Sequence, residues 1–178
     1  MANNYGVVRT DAVKATKAGN IKSGRYYVSN TATAIENGNI VKLDSLITGQ
    51  RDLWKVVAAG GITTANLYLV ATPELIYDET LKSSGALNQF RNEAGKNITL
   101  IPLEVGDTFA VSDACITPIN DDDDVPAVGS FVEVPSSGTK WLETASLTST
   151  VVFYGKIIAR ELYKKDTYLN VIEMISVR

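Results

Sequence analysis

The chain has 178 residues, 45% of them hydrophobic and 21% charged, with a net charge of −3 and no histidine. That is the make-up of one globular domain facing water, since a domain takes roughly 100–200 residues. The composition excludes Ser-His-Asp and Cys-His nucleophiles, a zinc site built on histidine and paired cysteines, and any helix with the roughly 20 apolar residues of a membrane span.

The first twenty residues, MANNYGVVRTDAVKATKAGN, are polar and hold no apolar leader stretch, so synthesis and folding in a cytoplasm are expected. Within residues 1–25, five basic side chains (Arg9, Lys14, Lys17, Lys22, Arg25) face Asp11 alone, a balance of +4 that leaves −7 for the remainder of a chain summing to −3. An acidic body is a poor nucleic-acid binder. A basic arm on such a body suits an acidic protein surface, the chain's own or a partner's. The organisation expected is an extended arm over 1–20, with Arg9, Lys14 and Lys17 as partner-binding residues, ahead of one β-barrel-like domain over 21–178. The stretch 11–18 alternatively reads as a short helix.

Beyond the arm, short β-type runs alternate with turn residues. RYYVS (25–29) comes first, then ENGNIVKLD (36–44), where Asn37-Gly38 is a strong hairpin dipeptide. LWKVVAA (53–59) stops at Gly60-Gly61, and NLYLVAT (66–72) stops at Pro73. Thr72-Pro73-Glu74 could cap a turn of helix, and 84–95 could hold another, though neither has a sustained 3.6-residue period. NITLIPLE (97–104) runs into Gly106-Asp107, and TFAVSDACI (108–116) follows at once. SFVEV (130–134), TKWLE (139–143), STVVFYGKIIARELY (149–163) and TYLNVIEMISVR (167–178) complete the chain. Roughly eight to ten strands at this spacing predict an all-β fold, an antiparallel barrel or a β-tulip or sandwich-like domain. Both faces of the last run are apolar, which suits a barrel interior on one side and a subunit contact on the other.

Few stretches look chemical. NDDDDVP (120–126) does not fit a calcium loop of the EF-hand kind, because Val125 takes the place of the glycine and Phe131 that of the closing glutamate. Neighbouring side chains on extended backbone point opposite ways, so at most two of Asp121, Asp122, Asp123 and Asp124 could share a Ca²⁺ or Mg²⁺ with a backbone carbonyl. The run reads first as a solvated surface loop. Ser137 and Lys140 match S-x-x-K, but in a hairpin loop and without the helix the chemistry needs. Glu74, Asp78 and Glu79 share one turn at a spacing common on exposed surfaces. Cys115 lies in an apolar run and reads as a small buried hydrophobe. No catalytic residue and no cofactor are assigned, and the chain is not expected to be an enzyme.

Three stretches carry a family likeness: IKSGRYYVSNTATAIENGNIVKLDSL (21–46), LWKVVAAGGITTANLYLVATPELIYDE (53–79) and AGKNITLIPLEVGDTFAVSDACI (94–116). In these the chain resembles the head decoration, or cement, proteins of tailed bacteriophages. The resemblance implies a small β-barrel or β-tulip domain on the virion surface. It would bind the major capsid protein on the outside of the mature head, commonly as a trimer, and stabilise the shell. It implies no nucleic-acid or membrane partner. The alternatives are another phage part, such as a tail or head-fibre base, and a carbohydrate-binding module using Trp54, Trp141 and the loop aspartates.

Overall fold

Strands β3, β5 and β6 are apolar on both faces, and that decides the architecture. In β3 (Ile40–Leu46), β5 (Leu67–Val70) and β6 (Ile98–Pro102), Ile40, Leu69 and Ile101 lie cross-strand on one face, and Val41, Val70 and Leu100 point to the other. A sheet of this kind must be covered twice. The computed structural model, which describes residues 5–9, 12–61, 63, 66–74, 87–119, 125–164 and 167–177, does so by closing one sheet on itself and wrapping a second around it.

The first sheet joins β1 (Lys22–Val28), β4 (Leu53–Ala58), β3, β5 and β6, and the β1–β6 pairing closes it into a five-stranded barrel; β2 (Thr31–Ala32) hangs on β1 as a short hairpin. The barrel interior holds Ile35, Val41, Val56, Val70, Ile98 and Leu100, with Tyr26, Trp54 and Tyr68 packed against them. Barrel diameter grows with strand number, so five strands leave a narrow lumen. Gly24 fits that constraint: a Cβ there would stand 2.9 Å from Leu100 Cδ1 and 3.0 Å from Val56 Cγ1.

The second sheet runs β7 (Thr108–Ser112), β12 (Thr167–Val177), β11 (Phe153–Lys164), β9 (Phe131–Glu133), β10 (Trp141–Thr144) and β8 (Ile116–Thr117), curled into a half-barrel. Its inner face carries Phe109, Val132, Trp141, Phe153, Ile157, Ile172 and Met174, which form one continuous core with Ile40, Leu67, Leu69, Ile101 and Leu103 on the outside of the barrel. Trp141 lies at the centre, with ring centroids 5.6 Å from Phe109 and 6.2 Å from Phe153. Each such ring buries roughly 150–250 Å², so this stack is a large part of the driving force. Most pairings are antiparallel; β1 with β4 and β8 with β10 are parallel.

The all-β expectation holds, with twelve strands among the described residues. Three local expectations change. The helices drawn at 72–77, 84–95 and 11–18 are not formed where those residues are described; Leu87–Gln89 is a single 3-10 turn, and Lys14 is extended, bridging to Thr108. The run 108–116 is two strands broken by a 3-10 turn at Asp113–Cys115. Asn37-Gly38 is no hairpin tip. Both residues lie inside the molecule, where Gly38 N–H donates to Val70 O and Gly38 O accepts from Trp141 Nε1 at 3.1 Å. No helix among the described residues is long and apolar enough to cross a membrane.

Gly38 has φ +81°, and a Cβ added there would meet Cys115 Sγ at 2.5 Å. Left-handed backbone and the close contact both oppose a side chain. Gly38→Ala is expected to destabilise the fold by about 2–4 kcal/mol, read as a lower urea midpoint at unchanged slope. In a double variant with Cys115→Ala, only the contact part should be recovered, because the φ penalty stays.

Candidate functional site

Of the first twenty residues, those described around 7–9 and at Lys14 lie along the free edge of β7. Arg9 N–H donates to Ala110 O, Ser112 N–H to Val7 O, and Lys14 and Thr108 exchange both backbone bonds. Val7 and Val8 are buried, and Val7 N–H also donates to Ser112 Oγ at 3.0 Å. An exposed strand edge is a template for pairing, and this segment covers it. Further along, the buried carboxylate of Asp107 accepts from Thr16 N–H (2.8 Å) and Thr16 Oγ1–H (2.6 Å) through one oxygen, and from Glu104 N–H (2.8 Å) through the other. Hydrogen bonds to an ionised acceptor are about twice as strong as neutral ones.

Of the residues expected to meet a partner, Lys17 pairs with Glu104 of its own chain at 2.7 Å, Arg9 sets its guanidinium 6.0 Å from the centroid of Tyr163, and Lys14 is exposed. Arg9 and Lys17 are thus each engaged by groups of the same chain. Lys17 answers the charge argument on the chain's own acidic surface.

The candidate contact surface is the far end of the β11–β12 hairpin. Strand β9 pairs with β11 only over Tyr154, Gly155 and Lys156, and β7 pairs with β12 only over 169–173. In the strand ladders, Ala159, Arg160 and Glu161 pair with Val171, Asn170 and Leu169, which β7 still flanks, whereas 162–164 and 167–168 pair only with one another, so the hairpin end extends past its neighbours. Its end is apolar: Leu162 is 65% exposed and stands directly across from Tyr168, 39% exposed; Ile158, further back along β11, is also exposed. Arg160 lies 4.1 Å from the Tyr168 ring centroid and its guanidinium is held by Asp113 at 2.7 Å. Asn170 donates to the other Asp113 oxygen at 2.6 Å. Arginine over an aromatic face, already clamped by a carboxylate, loses little side-chain freedom on meeting a partner. Sequence reading finds the two apolar faces of 167–178 but misses Arg160, Leu162 and Tyr168, because only the end points of β7 and β9 reveal where the hairpin runs free.

The other sequence candidates sit elsewhere. Asp121, Asp122, Asp123 and Asp124 lie outside the described residues, as do Asp78 and Glu79. The two ends of that acidic loop are tied together by Glu143, whose buried carboxylate accepts from Ile119 N–H (3.2 Å) and Ala127 N–H (2.8 Å). Ser137 and Lys140 are on an irregular loop, with no helix to bring the amine over the hydroxyl. Cys115 is enclosed, and burial pushes its thiol up to about 12, against the weaker pull of the Ser112 hydrogen bond. A thiol of that kind is no nucleophile. Trp141 is fully buried and so cannot stack on a sugar, and Trp54 is half-buried against the barrel interior. Among the described residues no group of three or more Cys, Asp or Glu side chains is placed to hold a metal ion. Comparison with protein-family models, with curated proteins and with solved structures gives no match.

Among the described residues Glu74 has a strongly raised carboxyl. Burial raises it from 4.5 to about 7, partly opposed by the Asn37 amide, which donates to it at 3.4 Å. A carboxyl raised in the folded state binds its proton more tightly there than in the unfolded chain. The stability it lends is full below pH 4.5 and is lost as pH rises through about 7. Thermal melts at about pH 5 and about pH 8 should show Glu74→Gln gaining on the parent at the higher pH, with the two nearer together at the lower. An equal difference at both would contradict the assignment.

Proposed function

We propose that the chain is a structural virion protein, without enzymatic activity, that binds the major capsid protein on the outside of a mature tailed-phage head and stabilises the shell. The observation that carries this reading is the protruding β11–β12 end, where Leu162, Tyr168 and the clamped Arg160 make a preordered apolar and cationic contact surface. Tyrosine and arginine are the residue types that dominate protein interfaces. The rigid two-sheet body, with its edge strand covered, supports a role in which the chain acts as a clasp. Its mechanism would be linkage. A protein that binds only the expanded shell stabilises that state by mass action, and many modest contacts repeated around symmetry axes add by avidity.

Purified protein mixed with tailed-phage heads and sedimented is expected to bind expanded heads saturably and unexpanded heads not at all. Leu162→Asp should weaken binding by at least about tenfold, the loss of one buried anchor worth about 1.4 kcal/mol or more, while leaving the melting temperature within a few degrees, because Leu162 is exposed. Absence of binding to either form would overturn the proposal.

A further inference from the structure

A cleft of about 260 Å³ opens where the barrel, the half-barrel and the first segment meet. Its polar wall is formed by Lys17, Asn20, Lys22, Asn66, Tyr68 and Glu104, over a floor that includes the buried Leu67 and Leu103. Three features make it more than a surface dimple. The buried Asp107 carboxylate fixes both Thr16 and the Glu104 backbone, so the Lys17–Glu104 pair on the rim is held from beneath. Asn66 sits at φ +54°, a left-handed position that turns the chain at the cleft mouth. And Lys22, half-buried on β1, has no carboxylate in ion-pair range among the described residues, while Lys17 is matched by Glu104. In a chain of net charge −3 the cleft therefore holds one unmatched positive charge.

We propose that this cleft binds a single carboxylate group, carried either on an acidic side chain of a partner protein or on a free acid no larger than a monosaccharide. Lys22 supplies the ion pair, and the amides of Asn20 and Asn66 with the Tyr68 hydroxyl supply neutral hydrogen bonds. Charge selects the ligand: one unmatched ammonium suits a monoanion, whereas a phosphate dianion would need Lys17 released from Glu104. Size selects it too, since about 260 Å³ is below the roughly 300–1,000 Å³ of drug-sized sites. Lys22 is half-buried, which strengthens its pairing relative to a fully exposed one. The inference is independent of the virion reading, and either can fail alone.

The test is a titration of the isotope-labelled full chain, followed by amide chemical shifts at constant ionic strength. The probes are sodium acetate, galacturonate, a blocked glycyl-glutamyl-glycine peptide and inorganic phosphate. Saturable shifts confined to residues 17–22, 66–68 and 102–104 are expected with the carboxylates. Lys22→Gln should weaken them at least tenfold, and Lys55→Gln, outside the cleft lining, should not change them. Glu104→Gln should tighten carboxylate binding by freeing Lys17, a gain that a purely structural role for Glu104 would not give. Preference for the peptide over acetate would assign the group to a partner protein, and preference for galacturonate to a free acid. Shifts that are unsaturable or scattered over the surface, or saturation by phosphate alone, would overturn the proposal.

Discussion

The fold depends on one buried junction, where a turn of the barrel is seated in the core of the half-barrel. Trp141 fills that core between Phe109 and Phe153 and spends its only polar atom on Gly38 O. Ile40 N–H donates to Thr139 O beside it, and Cys115 packs on Gly38 from the third side. Asn37 continues the junction outward: its amide donates to Thr72 O, and its carbonyl accepts from Thr72 N–H and from the Asn92 amide. Buried polar groups of this kind are costly unless paired, and here the pairing ties the turn before β3, the end of β5 and Asn92 to one another, while Gly38 and Ile40 make the hydrogen bonds to the second sheet. The two sheets therefore share one core and cannot come apart without exposing the Trp141 stack and breaking the bonds to Gly38 and Ile40.

That junction also orders the surfaces. Because β7 is fixed at Phe109 and Val111, its outer edge offers backbone partners to Val7, Arg9 and Lys14, which bridge to it at Ser112, Ala110 and Thr108. Because β12 is fixed at Ile172 and Met174, the remainder of the β11–β12 hairpin is cantilevered outward with Leu162 and Tyr168 at its end. Register shifts in β11 near Ile157 and Leu162 add local twist there. Bulges and charged residues such as Arg160 and Glu161 discourage indiscriminate strand addition along that edge, which leaves the exposed apolar side chains as the surface proposed for contact.

Strand content was legible because β-branched and aromatic runs ended at glycine, proline and asparagine, as in LWKVVAA before Gly60-Gly61. Strand partners were not, because register depends on non-local packing: nothing local says that β1 lies parallel to β4 or that β6 returns to close the barrel. Asn37-Gly38 misled for the same reason. The dipeptide supplies positive φ wherever a tight turn is needed, and only the tertiary structure shows that this one is buried. The basic bias of residues 1–25 pointed to an acidic surface, and Lys17 finds one in Glu104, which charge counting cannot place within or between chains. The functional candidates were least legible. Exposure of Leu162 and isolation of Lys22 follow from where neighbouring strands stop.

The central claim is that the hairpin end meets the capsid. Hydrogen exchange of the backbone amides, measured on the free protein and on protein bound to expanded phage heads, tests it directly. The account predicts new protection in peptides covering 158–168, whose described residues have strand pairing on β11 from β12 alone. Protection confined to other surfaces, with 158–168 exchanging as in the free protein, would contradict it.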